Sequence, residues 1–309
     1  MTRSKRIMLL VFCCGIFASI SSTQTTTRRA MPSSGNPIIV FAVWPAANGP
    51  EKDANQPNVP LLDPIAVLRG GRFHDLPGFD DRDEKVRDAA YDDFEKRYFA
   101  PGSRYPFFLH GARSGNLVVK EPVGVSCIST TASVELPRLL PRDEQGLALT
   151  SPSGLGSHPD RDAAATAADR AAFLNAASSY LVSKGLQKAA TASMRVIDIR
   201  SLYLGGQWTR ALVGSIILRR KDALHTLFLV LTEKDGQLIT SLGSYYKATD
   251  VEDGTDSVDE IFLSHFDFYN DGIDEIVTTS YYYESWDYTI YKYQDGAWKT
   301  VYHGGGGGC

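Results

Sequence analysis

An α+β fold dominated by antiparallel β-structure follows from three features of the sequence. From about residue 195 onward, eight runs of β-branched and aromatic residues alternate with turn signals, among them Gly205-Gly206, Asp235-Gly236, Asp271-Gly272 and Asp295-Gly296. Aromatic side chains make up 11% of the chain, a share that suits sheets better than a helical bundle. Only two stretches carry an apolar stripe at helical spacing.

Residues 1–21 read as an export leader. Arg3, Lys5 and Arg6 precede the apolar run "IMLLVFCCGIFASI", and "SISS" offers the small residues that signal peptidase accepts, cutting after Ser21 or Ser22. So short a run fits poorly across ~30 Å of hydrocarbon, so no stable membrane span is expected after cleavage. The mature protein is expected in the periplasm or secreted. Cleavage moves the formal charge from −4 to −7, which argues against nucleic acid as a partner.

Residues 22–36 are a polar linker, and residues 37–150 read as a small N-terminal α+β domain. There "PIIVFAVWP" (37–45) is a buried strand, and Gly70-Gly71 turns a hairpin. Val86, Ala90, Phe94 and Tyr98 mark an amphipathic helix with acids in its first turn and Pro101-Gly102 at its end. Further strands are expected at 105–109 and 117–120, across the "HGARSGN" turn, and at 126–136. A Pro/Gly/Ser-rich stretch, 137–158, reads as connector. Residues 151–190 hold a second helix, with Ser157 as its N-cap, Pro159 in its first turn and Gly185 after its end. Residues 191–309 form the C-terminal β domain. The closing "HGGGGGC" reads as a flexible leash.

After the leader is lost, Cys127 and Cys309 remain. In an oxidising compartment they predict a disulfide, either between the two or with Cys309 left free or bonded to another chain. The intramolecular bond would pin the tail and contribute roughly 5 kcal/mol on chain-entropy grounds.

"DFYNDGIDE" (267–275) is the densest cluster of acids in a turn. With its flanks, "HFDFYNDGIDEIV" resembles the FG-GAP or VCBS-type repeat of integrin-α-like propellers, in which an Asp-rich loop joins two strands. The upstream "LYLGGQWTRALVGSIILRR" reads as a degenerate copy, so two blade-like units are expected. The resemblance implies calcium held by Asp267, Asp271 and Glu275 with the Ile273 carbonyl, because calcium takes 6–8 oxygens in flexible geometry. Tyr269 stands where the family places another oxygen ligand.

"SYYYESWDYTIYKY" (280–293) is the most aromatic stretch. Its period-2 alternation puts Asp287, Tyr291 and Tyr293 on one strand face, either a candidate surface for a protein or glycan ligand or a set of cross-strand aromatic pairs inside a sandwich. No nucleophile elbow occurs, and the six histidines show no His-x3-His spacing, so neither a serine hydrolase nor a zinc site is expected. The expected function is therefore an exported, non-catalytic binding protein, whose acidic loop is either a plain β-turn built on Asn, Asp and Gly or, as the resemblance implies, a calcium site that stabilises it. The alternative is an envelope hydrolase using carboxylates such as Glu284 or Asp287 beside the tyrosine-rich face.

Overall fold

The computed structural model describes residues 36–45, 59–123, 129–141, 144–208, 210–249 and 259–308. The leader, most of the linker, Cys127 and Cys309 lie outside the described residues, and so does the expected disulfide. Among the described residues no helix is long and apolar enough to cross a membrane.

The fold is mostly antiparallel β, as the turn spacing predicts. Seven N-terminal strands come first: β1 (Ile38–Trp44), β2 (Leu61–Arg69), β3 (Arg72–His74), β4 (Arg104–Leu109), β5 (Ala112–Val123), β6 (Thr131–Glu135) and β7 (Gly146–Leu149). They pair in the order β1-β7-β4-β5-β6-β2-β3, and β1 also pairs with β2. Six strands thereby close into a barrel, which removes the free sheet edges that invite aggregation. Phe41, Leu62, Phe107, Leu117, Val134 and Ala148, one from each barrel strand, form a shared core. Helix α1 (Glu84–Tyr98) adds Phe94 to it. The α1 stripe is buried only toward its C-terminal end, since Val86 is 46% exposed.

The connector is not all loop. Its "GLAL" segment is β7, fitted between β1 and β4. Gly146 is needed there because a Cβ would come within 2.6 Å of Phe107 and of the Phe108 carbonyl.

Two four-stranded meanders follow. The first has β8 (Arg195–Leu202), β9 (Ala211–Arg219), β10 (Leu224–Lys234) and β11 (Gln237–Ala248). The second has β12 (Asp259–Phe266), β13 (Glu275–Tyr282), β14 (Ser285–Gln294) and β15 (Ala297–Gly308). The second sheet is the middle layer. One face packs Trp286, Tyr288, Ile290 and Val277 on the outside of the barrel at Val40, Ala42, Trp44 and Ile65. The other packs Ile276, Tyr291 and Trp298 on Val213, Phe228 and Val230 of the first sheet. Helix α2 (Ala167–Ser183) covers that sheet's far side through Phe173, Ala177 and Leu181.

Two expectations need correction. Helix α2 begins at Ala167 rather than after Ser157. Thr166 and Asp169 form a capping box there, and Asp169 also accepts from Arg210 at 2.6 Å. Upstream the chain runs extended, tied to β8 by Ala163 N–H donating to the Ser201 carbonyl. The five-glycine tail is not a leash either. Residues 304–308 belong to β15, where Gly305 and Gly306 have positive φ of 67° and 79°. A Cβ on Gly306 would lie 2.1 Å from the Trp286 carbonyl, and one on Gly305 would lie 2.4 Å from that of Ile65. Only glycine fits a bulged strand pressed so closely between its neighbour and the barrel.

Candidate functional site

The acidic turn joins β12 to β13 as expected, and each of its carboxylates has a protein partner. Asp267 accepts from the Asp271 N–H at 3.0 Å and the Gly272 N–H at 2.9 Å, an Asx-type closure of the turn. Glu275, fully buried, accepts from the Phe268 N–H at 2.9 Å. The Lys292 ammonium donates to Asp271 at 2.6 Å and to Glu275 at 3.0 Å. It also sits 3.7 Å from the centre of the Tyr269 ring. Burial opposes charge on Lys292, but the two carboxylates outweigh it and raise its pKa. The structure therefore brings Asp271 and Glu275 together around an ammonium, while Asp267 turns to its own backbone. Ile273 pairs through its backbone with Gly205, in an antiparallel bridge to the first meander.

The turn between β8 and β9 meets this loop directly. Gly206 N–H donates to the Gly272 carbonyl at 2.8 Å and Asp274 N–H to that of Leu204 at 2.9 Å. The two turns thus clasp each other where the sheets join.

Beside the turn lies a histidine–carboxylate cluster that sequence spacing does not reveal. Asp274 Oδ2 is 2.5 Å from His265 Nδ1 and 2.7 Å from His158 Nε2. Behind the histidines, His265 Nε2 is 3.0 Å from Asp162 Oδ2 and His158 Nδ1 is 2.8 Å from the Pro159 carbonyl. Asp162 also accepts from the Tyr203 N–H at 2.8 Å. His265 is fully buried, and burial alone would lower its pKa. Hydrogen bonds to Asp162 and Asp274 outweigh that and push it up to about 10. The Asp274 bond likewise raises His158. His110 and Asp160 stand 3.0 Å apart at the exposed margin of this cluster. Four segments build it: the β4–β5 turn, the extended run 156–163, the end of β12, and the β12–β13 loop. His158 and Asp162 belong to the stretch expected to be the start of α2, so reading them as helix hid them. The signal available was two acids and a His flanking Pro159.

The tyrosine-rich face is covered. Tyr291 is buried between the sheets, with its hydroxyl donating to Glu260 at 2.7 Å. Tyr293 packs edge-on against Trp208 at 4.5 Å between ring centres. Both serve the sheet-to-sheet core, which leaves the expected ligand face without a surface. Asp287 is only partly covered, accepting from the Tyr282 hydroxyl at 2.8 Å and lying 3.4 Å from His303. Burial raises its pKa.

An open concavity exists elsewhere. A cleft of about 640 Å³ lies where β15 and the β13–β14 turn meet the β3–α1 segment. Asp75, Asp80 and Glu284 line it, with Tyr91, Tyr283 and the backbone of residues 304–308. Tyr283 is 58% exposed. Comparison of the chain with protein-family models, with curated proteins and with solved structures returns no match.

Proposed function

We propose that the protein is an exported, non-catalytic binding module whose ligand site is the cleft between the barrel and the middle sheet. The observation that carries this reading is the lining: three carboxylates and two tyrosines around a volume suited to a small ligand or a chain end. A sugar fits such a lining, because its C–H faces stack on tyrosine while its hydroxyls donate to carboxylates. A glycan is thus favoured over a protein segment, and nucleic acid is disfavoured by the acidic lining. The leader-like N-terminus supports delivery to the periplasm or the medium. The resemblance to the blade repeat supports a shared ancestry for the two meanders. On this reading calcium stabilises the protein only if Lys292 withdraws from Asp271 and Glu275, so ion and ammonium compete for one pair of carboxylates.

Calorimetry against a panel of neutral and amino-bearing oligosaccharides tests the reading. One saturable site is expected, weakened roughly tenfold or more by Tyr283→Ala. Failure of every glycan, with binding of a basic peptide instead, would transfer the site to a protein ligand.

A hydrolase is the second reading, favoured by carboxylates from two separate segments lining one cleft and by the raised pKa of nearby Asp287, which suits a general acid. Release of shortened sugars that is lost in both Glu284→Gln and Asp287→Asn would establish it.

A further inference from the structure

We propose that His158, His265 and Asp274 form a binding site for a single divalent transition-metal ion, zinc in the first place. This inference is independent of the cleft and of Asp267, Asp271 and Glu275. It starts from the hydrogen-bond directions. The Pro159 carbonyl can only accept, so His158 keeps a proton on Nδ1, and Nε2 is the nitrogen that would give up its proton to a metal. Asp162 accepts at His265 Nε2, so Nδ1 is the nitrogen of His265 that would give up its proton to a metal. Both of these nitrogens point at the same oxygen, Asp274 Oδ2. Three acceptor atoms, all within 4.8 Å of one another, therefore converge on one buried position. Such a set needs either a proton on each histidine or one cation shared by all three.

Two imidazoles and a carboxylate are the donor set that zinc and its neighbours take, and each imidazole here has the acceptor behind it that commonly orients a metal-binding histidine. The space is provided as well. A Cβ on Gly111 would lie 2.6 Å from both Asp274 Oδ2 and His158 Nε2, so glycine at the β4–β5 turn leaves the region over the converging atoms open. The ligand atoms now stand at hydrogen-bond separations. A tetrahedral ion with bonds of about 2.0–2.2 Å would hold them about 3.3–3.6 Å apart, so each histidine nitrogen must draw back from Asp274 by roughly 0.6–1 Å as the ion replaces the bridging protons. His158 is the outermost of the three, with its side chain 19% exposed. The ion would fasten this run to the end of β12 and the following loop.

The test is zinc loading of the chelator-stripped protein, read by native mass spectrometry and by competition with a chromophoric chelator. Cobalt serves as a second probe, for its visible ligand-field bands. The expected result is one ion per chain, lost in His158→Ala and unchanged in His74→Ala, an exposed histidine outside the cluster. Asp162→Asn is the sharper variant. Its Oδ1 can still accept from Tyr203, while its amide donates to His265 Nε2 and forces the ring proton onto Nδ1, toward the ion. Affinity should fall roughly 10–100-fold with the fold intact by circular dichroism. Absence of a stoichiometric ion in the wild type, or equal affinity in wild type and both cluster variants, would overturn the proposal.

Discussion

The Lys292 ammonium stands 3.0 Å from the Glu275 carboxylate, which is fully buried, and only 12% of the lysine side chain is exposed. It occupies the interior of a turn whose acids would otherwise repel one another, with the Tyr269 ring closing one side. Tyr269, the departure from the calcium-binding pattern, thus gives its ring face to a cation instead of an oxygen.

Replacing this lysine tests the arrangement. Lys292→Met leaves Glu275 buried without its counter-charge, and about 3 kcal/mol of stability should be lost at neutral pH by urea unfolding. Calcium at about millimolar concentration should then raise the melting temperature of the variant more than that of the wild type, because the ammonium no longer competes. An equal response in both proteins would show that ion and lysine do not share the carboxylates.

Asp63 should make the barrel–sheet seam sensitive to acid in an unusual direction. Its carboxyl is buried among Trp44, Trp286 and Tyr288, accepting from Trp286 Nε1 at 2.9 Å and from the Tyr288 hydroxyl. Burial raises its pKa from 3.8 to about 6. The folded state therefore favours the protonated acid: this contribution is fully present below the unfolded value and lost as the pH rises through about 6. The difference is on the order of 3 kcal/mol. Asp63→Asn mimics the neutral form, so its stability relative to wild type should improve by about that amount between about pH 4 and about pH 7.5. Urea midpoints at the two pH values check it, and a flat difference would contradict it.

The glycine tract gives a third check. Gly306→Ala meets both a φ of 79° and a carbonyl 2.1 Å away. Gly236→Ala meets a similar φ of 76° with open space around it. The second should cost about 1–2 kcal/mol, for the left-handed backbone alone. The first should cost roughly 2 kcal/mol more, because the strand must move off its neighbour. Equal costs in thermal unfolding would mean that the tract is not wedged between β14 and the barrel.

Much of the sheet was legible because its signals are local. Asp235-Gly236 and Asp295-Gly296 mark hairpins without reference to anything distant, and the alternation through Trp286, Tyr288 and Ile290 assigns one strand face correctly. What that face touches is a tertiary matter: β14 is covered on both sides, so Tyr291 and Tyr293 lie in a core rather than on a surface. Barrel closure was hidden because β7 is only four residues long and sits in a glycine- and proline-rich stretch. The start of α2 was misplaced because Pro159 and the alanine run satisfy local helix rules, whereas the contacts of Asp162 with Tyr203 and His265 hold that segment extended. The cluster itself was out of reach, since His158 and Asp274 are 116 positions apart.

Amide hydrogen exchange, with and without a saturating oligosaccharide, tests the central claim that the cleft is the working surface. Slowed exchange is predicted in residues 75–80, 283–286 and 303–308, with β8 to β11 unchanged. Protection confined to β8–β11, or no protection anywhere under conditions where the sugar is bound, would contradict it.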